Sequence, residues 1–164
     1  MTSLPRQILI DTNLWLDEYI GIRPNGETSR QLFDFCFEKE ISLLYALPSI
    51  KDVYYLIISN LKAQARNQGE SITEENALAI EQYSWKCVEN MMTLATAVPL
   101  DASDLMESRR LHQVHRDLED NLVIAAALRA NADYLVTNDM KIIKHALVPS
   151  LSPADMLHLL QSYQ

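Results

Sequence analysis

Four aspartates occupy places where a folded chain could gather them for chemistry. Asp11 follows the apolar run Gln7-Ile8-Leu9-Ile10 and precedes Thr12-Asn13. Asp52 lies past a second apolar run, after the break Leu47-Pro48-Ser49. Asp120 sits just ahead of the apolar segment Leu122 to Leu128, and Asp139 closes Thr137-Asn138-Asp139 behind Tyr134-Leu135-Val136. Each falls at the carboxyl end of an expected strand or in the first turn of a neighbouring helix. Ligand sites in open parallel sheets collect along that edge. Carboxylates brought together there repel one another: two unit charges about 4 Å apart cost roughly 4 kcal/mol at an effective dielectric of about 20. Protons or a cation must relieve that repulsion. Hard oxygen donors favour Mg²⁺ or Mn²⁺ over zinc, and ions so held support hydrolysis of a phosphodiester.

Each position also has a local explanation. Aspartate at a helix N-terminus often caps the helix or complements its dipole. Ser49 stands three residues before Asp52, so a capping box is the favoured reading there. Asp117 reads as a cap, and Asp139 is balanced between cap and ligand. Asp11 is hard to explain by packing, and Asp120 opens a helix too apolar to face solvent. Glu119, next to Asp120, is expected to point elsewhere. His112 and His115 are three residues apart without a clear third ligand, which suits a solvated helix face.

These residues need a scaffold of alternating strands and helices. The runs Gln7–Ile10, Ile41–Leu47, Leu94–Val98 and Tyr134–Thr137 read as buried strands, with Ala146-Leu147-Val148 a weaker fifth. Their continuous apolarity suits strands covered on both faces. Between them, Thr28 with Gln31 opens a helix to about Glu38, Ser49 with Asp52 another, and Ser71 with Glu74 a long one through Met92. Asp101 and Asp117 cap two more, and Pro153 starts the last. Alternation of this kind implies a parallel sheet with helices on both faces. The polar stretch Gln64 to Thr73, with Gly69, is the best candidate for an exposed loop. The helix bearing Tyr54, Tyr55, Ile57 and Ile58 is apolar nearly all round, which suits central burial or a dimer surface.

The bulk properties narrow the function. A chain of 164 residues fits one domain, residues 1–164, with no internal repeat. The net charge of −8 argues against a general nucleic-acid coat. A bound cation and a local basic cluster would still permit a nuclease. Cys36 and Cys87 lie among apolar residues and read as buried thiols. Neither a signal-peptide core nor a membrane span is visible, which points to the cytoplasm. The three glycines form neither a dinucleotide fingerprint nor a phosphate-binding loop, and no hydrolase nucleophile elbow occurs. A haloacid-dehalogenase-type phosphatase would want a second aspartate where Asn13 stands.

Three segments in order carry a resemblance. Ile8-Leu9-Ile10-Asp11-Thr12-Asn13-Leu14-Trp15-Leu16-Asp17 resembles the first acidic motif of the PIN-domain family, which includes VapC-type toxins. Asp117-Leu118-Glu119-Asp120-Asn121-Leu122 resembles the third, and Ala132-Asp133-Tyr134-Leu135-Val136-Thr137-Asn138-Asp139 the fourth. Leu151-Ser152-Pro153-Ala154-Asp155-Met156-Leu157 is similar to the family's usual ending. The resemblance implies an α/β fold, a three-layer α/β/α sandwich around a central parallel sheet. It implies a metal-dependent ribonuclease with Asp11, Asp52, Asp120 and Asp139 at the catalytic site. Asp11, Asp120 and Asp139 would hold Mg²⁺ or Mn²⁺, and Thr12, Asn13 and Thr137 would orient ligands or water. Homodimers and an antitoxin protein are the partners it suggests. One position departs: the family's second acid is often Glu, and Asp52 is a methylene shorter. A second reading keeps the fold but makes the chain a catalytically weak module that engages a partner protein. Metal titration separates the two.

Overall fold

Five short apolar segments pair edge to edge in the computed structural model, which describes residues 4–145 and 147–163. The elements run β1 (Gln7–Ile10), α1 (Thr12–Tyr19), α2 (Gly26–Glu38), β2 (Ser42–Ala46), α3 (Leu47–Asn67), α4 (Glu74–Leu94) and β3 (Thr96–Val98). They continue with α5 (Ala102–Leu111), α6 (Leu118–Arg129), β4 (Tyr134–Val136), α7 (Met140–His145), β5 (Ser150–Leu151) and α8 (Pro153–Gln161). The strands lie in the order β3-β2-β1-β4-β5, and every pairing is parallel.

The sheet separates two apolar cores. Alternate strand residues point to opposite faces, so Ile8, Ile10, Leu43, Tyr45 and Val136 face one core while Leu9, Leu44, Ala46 and Leu135 face the other. Leu14 and Trp15 of α1, Leu32 and Phe33 of α2, Val53 and Ile57 of α3, Met91 of α4 and Met156 of α8 fill the first. Leu111 of α5, Val123, Ile124 and Ala127 of α6 and Ile142 of α7 fill the second. This is the three-layer α/β/α sandwich expected from the sequence.

Several boundaries differ from the sequence reading. The expected fifth strand at Ala146-Leu147-Val148 is displaced: Ala146 lies outside the described residues, Val148 is buried in the second core, and Ser150–Leu151 forms the strand instead. Register decides this, because Val136 pairs with Leu151. Ser49 does not cap a helix, since α3 already begins at Leu47 with Pro48 in its first turn. Pro48 suits that turn because its missing N–H would have no partner there. Thr28 is likewise inside α2, and Gln31 donates to Glu27 rather than reaching back to a cap. Thr73, not Ser71, caps α4 and accepts from the Asn76 N–H. Asp101 caps α5 in a full capping box with Asp104. Helix α3 runs through Gln64, so the exposed loop is shorter than expected and begins at Gln68. Gly69 closes it at φ +78°, a left-handed conformation that glycine adopts without strain. On α3 itself, Ile57 is buried while Tyr55 is 62% exposed.

The pairing of α5 with α6 matters most to the site, because α6 carries Asp120. The Arg129 guanidinium, at the far end of α6, donates twice to the buried Asp104 carboxylate of α5, from Nε at 2.8 Å and from Nη2 at 2.9 Å. It also donates to the Pro99 carbonyl. Asp104 is 2% exposed. Removing its partner strands an acid in the interior, and Arg129→Met is expected to lower the free energy of unfolding by about 2 kcal/mol. Urea denaturation at neutral pH checks this; an unchanged midpoint would remove the pair from the forces that hold α6.

Candidate functional site

The strand order changes direction at β1. The chain winds outward through β2 and β3, then crosses back to lay β4 on the other side of β1. Such a switch point opens a crevice at the carboxyl ends of the two central strands. Ile10 pairs with Val136, so the residues that follow them are neighbours. The Asp11 N–H donates to the Val136 carbonyl at 3.0 Å. Helices join this edge by their N-termini, because a helix leaving or returning to a parallel strand runs antiparallel to it. Asp11 is itself the N-cap of α1, with its Oδ1 accepting from the Thr12 N–H at 2.7 Å. Asp52 lies in the second turn of α3, and Asp120 in the first turn of α6.

Asp11 is the most deeply held of the four, at 5% exposure. The Thr137 hydroxyl donates to its Oδ2 at 2.7 Å, and the Asn13 amide donates to the same oxygen at 3.4 Å. Thr137 Oγ also accepts from the Asp139 N–H at 2.9 Å, so one hydroxyl ties Asp11 to the segment bearing Asp139. Asp139 caps α7, its Oδ1 accepting from the Lys141 N–H at 2.7 Å. Asp117 caps α6, its Oδ1 accepting from the N–H groups of Glu119 and Asp120. Thr12, Asn13 and Thr137 therefore all touch Asp11, Thr12 through its backbone.

These carboxylates feel one another. Burial raises the Asp11 pKa, the bonds from Thr137, Thr12 and Asn13 oppose it, and the Asp139 charge adds to the rise. Asp120 is pushed up to about 6, chiefly by burial, then by the charges of Asp117, Asp11 and Asp139, with His115 opposing. Asp11, Asp52 and Asp120 line one cleft of about 360 Å³. Asp139 lines an adjoining cleft that also contains Asp120. Asp52 forms an ion pair with Lys51 at 3.0 Å, not the expected capping box.

Oxygen donors with unspent lone pairs are present. Asp120 accepts no hydrogen bond, and Asp139 Oδ2 none, among the described residues. Carboxylate oxygens each offer two lone pairs, and such hard donors suit Mg²⁺ or Mn²⁺. Among the described residues, no three acidic, histidine or cysteine side chains already enclose an ion-sized space. Closing them around a cation therefore takes side-chain rotation.

A family model of the PIN domain matches residues 7–141. The chain belongs to the PIN-domain family. No curated protein matches it in sequence. Solved structures share the PIN architecture at low identity. VapBC2 from Rickettsia felis, bound to a promoter DNA fragment, is 11% identical, with a TM-score of 0.64 over 89% of this chain and 98% of that one. PAE2754 from Pyrobaculum aerophilum is 13% identical, with a TM-score of 0.62 over 95% and 96%. A toxin-antitoxin complex from Klebsiella pneumoniae is 16% identical, with a TM-score of 0.56 over 89% and 97%.

This PIN domain also corrects the sequence reading around the cleft. Glu119 does not point away; it lines the same cleft as Asp11 and Asp52, and its charge reaches Lys51. The first turn of α6 lies across the cleft mouth, so adjacent residues both face it. His115 is not on a solvated helix face. It follows α5, is 6% exposed, and its Nε2 lies 3.4 Å from Asp120 Oδ2. That approach lacks hydrogen-bond alignment, and neither ring nitrogen has a hydrogen-bond partner among the described residues. Asp17, which no motif argument singled out for the site, is 1% exposed. Its carboxylate accepts from Arg23 at 2.5 Å and from the Asn138 amide at 2.7 Å, anchoring the loop between Thr137 and Asp139. The signal was an Asp closing the apolar run Leu14-Trp15-Leu16, but its partner Asn138 is 121 residues away.

Asp120 makes the metal-free protein pH-dependent. Its ordinary value is 3.8 and its folded value about 6. Between these the folded protein keeps a proton that the unfolded chain has released. The stabilisation is complete below about pH 4 and is lost as pH rises through about 6. In chelator, Asp120→Asn is expected to show a shallower decline in stability between these limits and a higher urea midpoint than wild type at pH 8. A decline as steep as wild type would mean that other groups carry it.

Proposed function

We propose that this chain is a divalent-metal-dependent ribonuclease of the toxin type. The observation that carries the reading is that Asp11, Asp120 and Asp139, from three separate segments, lie close enough that the Asp139 charge raises the proton affinity of Asp11 and both of these charges raise that of Asp120, which lines both clefts. Asp11, Asp120 and Asp139 would hold Mg²⁺ or Mn²⁺. The ion, when bound, supplies charge neutralisation and Lewis acidity for hydrolysis of a phosphodiester.

The protein's own groups divide the remaining work. Thr137 and Asn13 fix the Asp11 carboxylate in one orientation through two donated hydrogen bonds. Thr137 also holds the Asp139 backbone, so both acids depend on one hydroxyl. The N-termini of α1, α3 and α6 point their partial positive ends at the crevice, which favours anions there. Asp52 and Glu119 line the cleft with Lys51, whose charge both acids favour, and are the two candidates for the family's second acid. The Klebsiella pneumoniae structure is a toxin-antitoxin complex, which supports an antitoxin as a partner here. Homodimerisation belongs to the same reading, with the exposed Tyr55 and Trp85 as apolar surface.

Metal titration tests the centre. Wild type is expected to bind Mn²⁺, with Asp11→Asn and Asp120→Asn folded but at least about tenfold weaker, about 1.4 kcal/mol or more. Calorimetry measures the first point and circular dichroism the second. Cleavage of single-stranded RNA should need Mg²⁺ or Mn²⁺ and vanish in Asp11→Asn. Activity that persists in chelator, or Mn²⁺ affinity equal to wild type in both variants, overturns the proposal. Antitoxin-like binding without any cleavage would favour the catalytically weak module.

A further inference from the structure

Resting on the nuclease reading, we infer that the substrate strand continues beyond Asp120 into the adjoining cleft, where Arg116, Lys141 and the His115 imidazole hold its phosphates. The adjoining cleft has a volume of about 610 Å³, and Asp120 lines both it and the carboxylate cleft. Asp120 is the residue their linings share, with Asp11 and Asp52 on one side of it and Asp139 on the other.

The lining of this second cleft is unusual for so acidic a chain. Arg116 and Lys141 are exposed on it. Neither joins an ion pair among the described residues. By contrast Lys51, in the first cleft, is taken by Asp52. Arg23 and Arg129 are likewise spent on Asp17 and Asp104. Asp117, Asp120 and Asp139 line the same cleft, and Asp117 and Asp139 each turn one oxygen to helix N–H groups, yet none of the three forms an ion pair with Arg116 or Lys141 among the described residues. The cations are left to an outside anion.

His115 adds an independent observation. It lines the cleft, is 6% exposed, and leaves both ring nitrogens without a hydrogen-bond partner. Buried polar groups in folded proteins are nearly always paired, so an unpaired one marks an absent partner. A neutral imidazole always carries one N–H, so this donor is present whatever its charge. A phosphate oxygen accepts from a guanidinium, an ammonium and an imidazole N–H alike. No Phe, Tyr or Trp, the large rings on which bases stack, lines either cleft among the described residues. The grip is therefore on the backbone of the strand and carries little sequence preference.

The experiment is a salt series. Fluorescence anisotropy follows a single-stranded 2′-O-methyl RNA oligonucleotide, which resists cleavage, binding to the full chain in Mg²⁺. The double variant Arg116→Ala/Lys141→Ala is expected to bind more weakly, with the slope of log affinity against log salt shallower by about 1.4, about 0.7 for each lost phosphate contact. Its Mn²⁺ affinity stays at the wild-type value. His115→Leu weakens binding; circular dichroism checks its fold. Lys62→Ala/Arg66→Ala, on the far half of α3, leaves the slope unchanged. A wild-type slope in the Arg116/Lys141 variant overturns the inference and leaves the nuclease reading standing. Wild-type protein with no salt-dependent binding of the oligonucleotide overturns both.

Discussion

Parallel pairing of β1 with β4 sets two distant segments side by side, and the Thr137 hydroxyl locks them together. It donates to Asp11 and accepts from the Asp139 backbone, spanning 126 residues of sequence with one bond. Because Ile10 and Val136 are in register, the residues after them emerge at the same edge. The crevice exists because the strand order reverses there. Were β4 added outside β3, two strands would stand between Asp11 and Asp139, three spacings of about 4.8 Å each. The mutual influence of the acids would then be lost.

Placing acids together against burial is costly, and the fold offsets part of that cost locally. Asp11, Asp117 and Asp139 each accept backbone N–H groups at the start of a helix. Capping a helix and lying near the other acids are thus compatible roles for one residue, as Asp11 and Asp139 show. Asp120 has no such support. Its pKa is pushed up to about 6, and the His115 imidazole lies 3.4 Å from its Oδ2. The least satisfied acid therefore stands where the two clefts meet.

The α5–α6 layer gives Asp120 its position. At one end of α6, Arg129 is clamped to Asp104; at the other, Asp117 caps the helix and the Asn121 amide donates to the His115 carbonyl at 2.9 Å. A buried acid, a buried amide and a buried imidazole thus surround a helix whose body is almost wholly apolar. On the opposite face, Asp17 and Asn138 tether the loop that bears Asp139. The crevice is supported from both cores.

Much of the architecture was legible because it is written locally. Continuous apolar runs marked four strands, and Asp101, Asp117 and Pro153 marked helix starts, since caps act within a turn of their own position. The order of Asp11, Asp120 and Asp139 carried the family resemblance. Other features needed coordinates. The fifth strand moved from the stronger apolar run to Ser150–Leu151 because register with β4, not propensity, selects it. Glu119 and Asp120, neighbours in sequence, face the same cleft because of how α6 lies across it. The burial of His115, the Asp17–Asn138 tether and the pairing of Asp52 with Lys51 depend on which surfaces meet in space. Sequence by itself determined which residues could do chemistry and what elements carry them. Tertiary structure alone decided which of them share a field, because charge and hydrogen bonding act over a few ångströms and not along the chain.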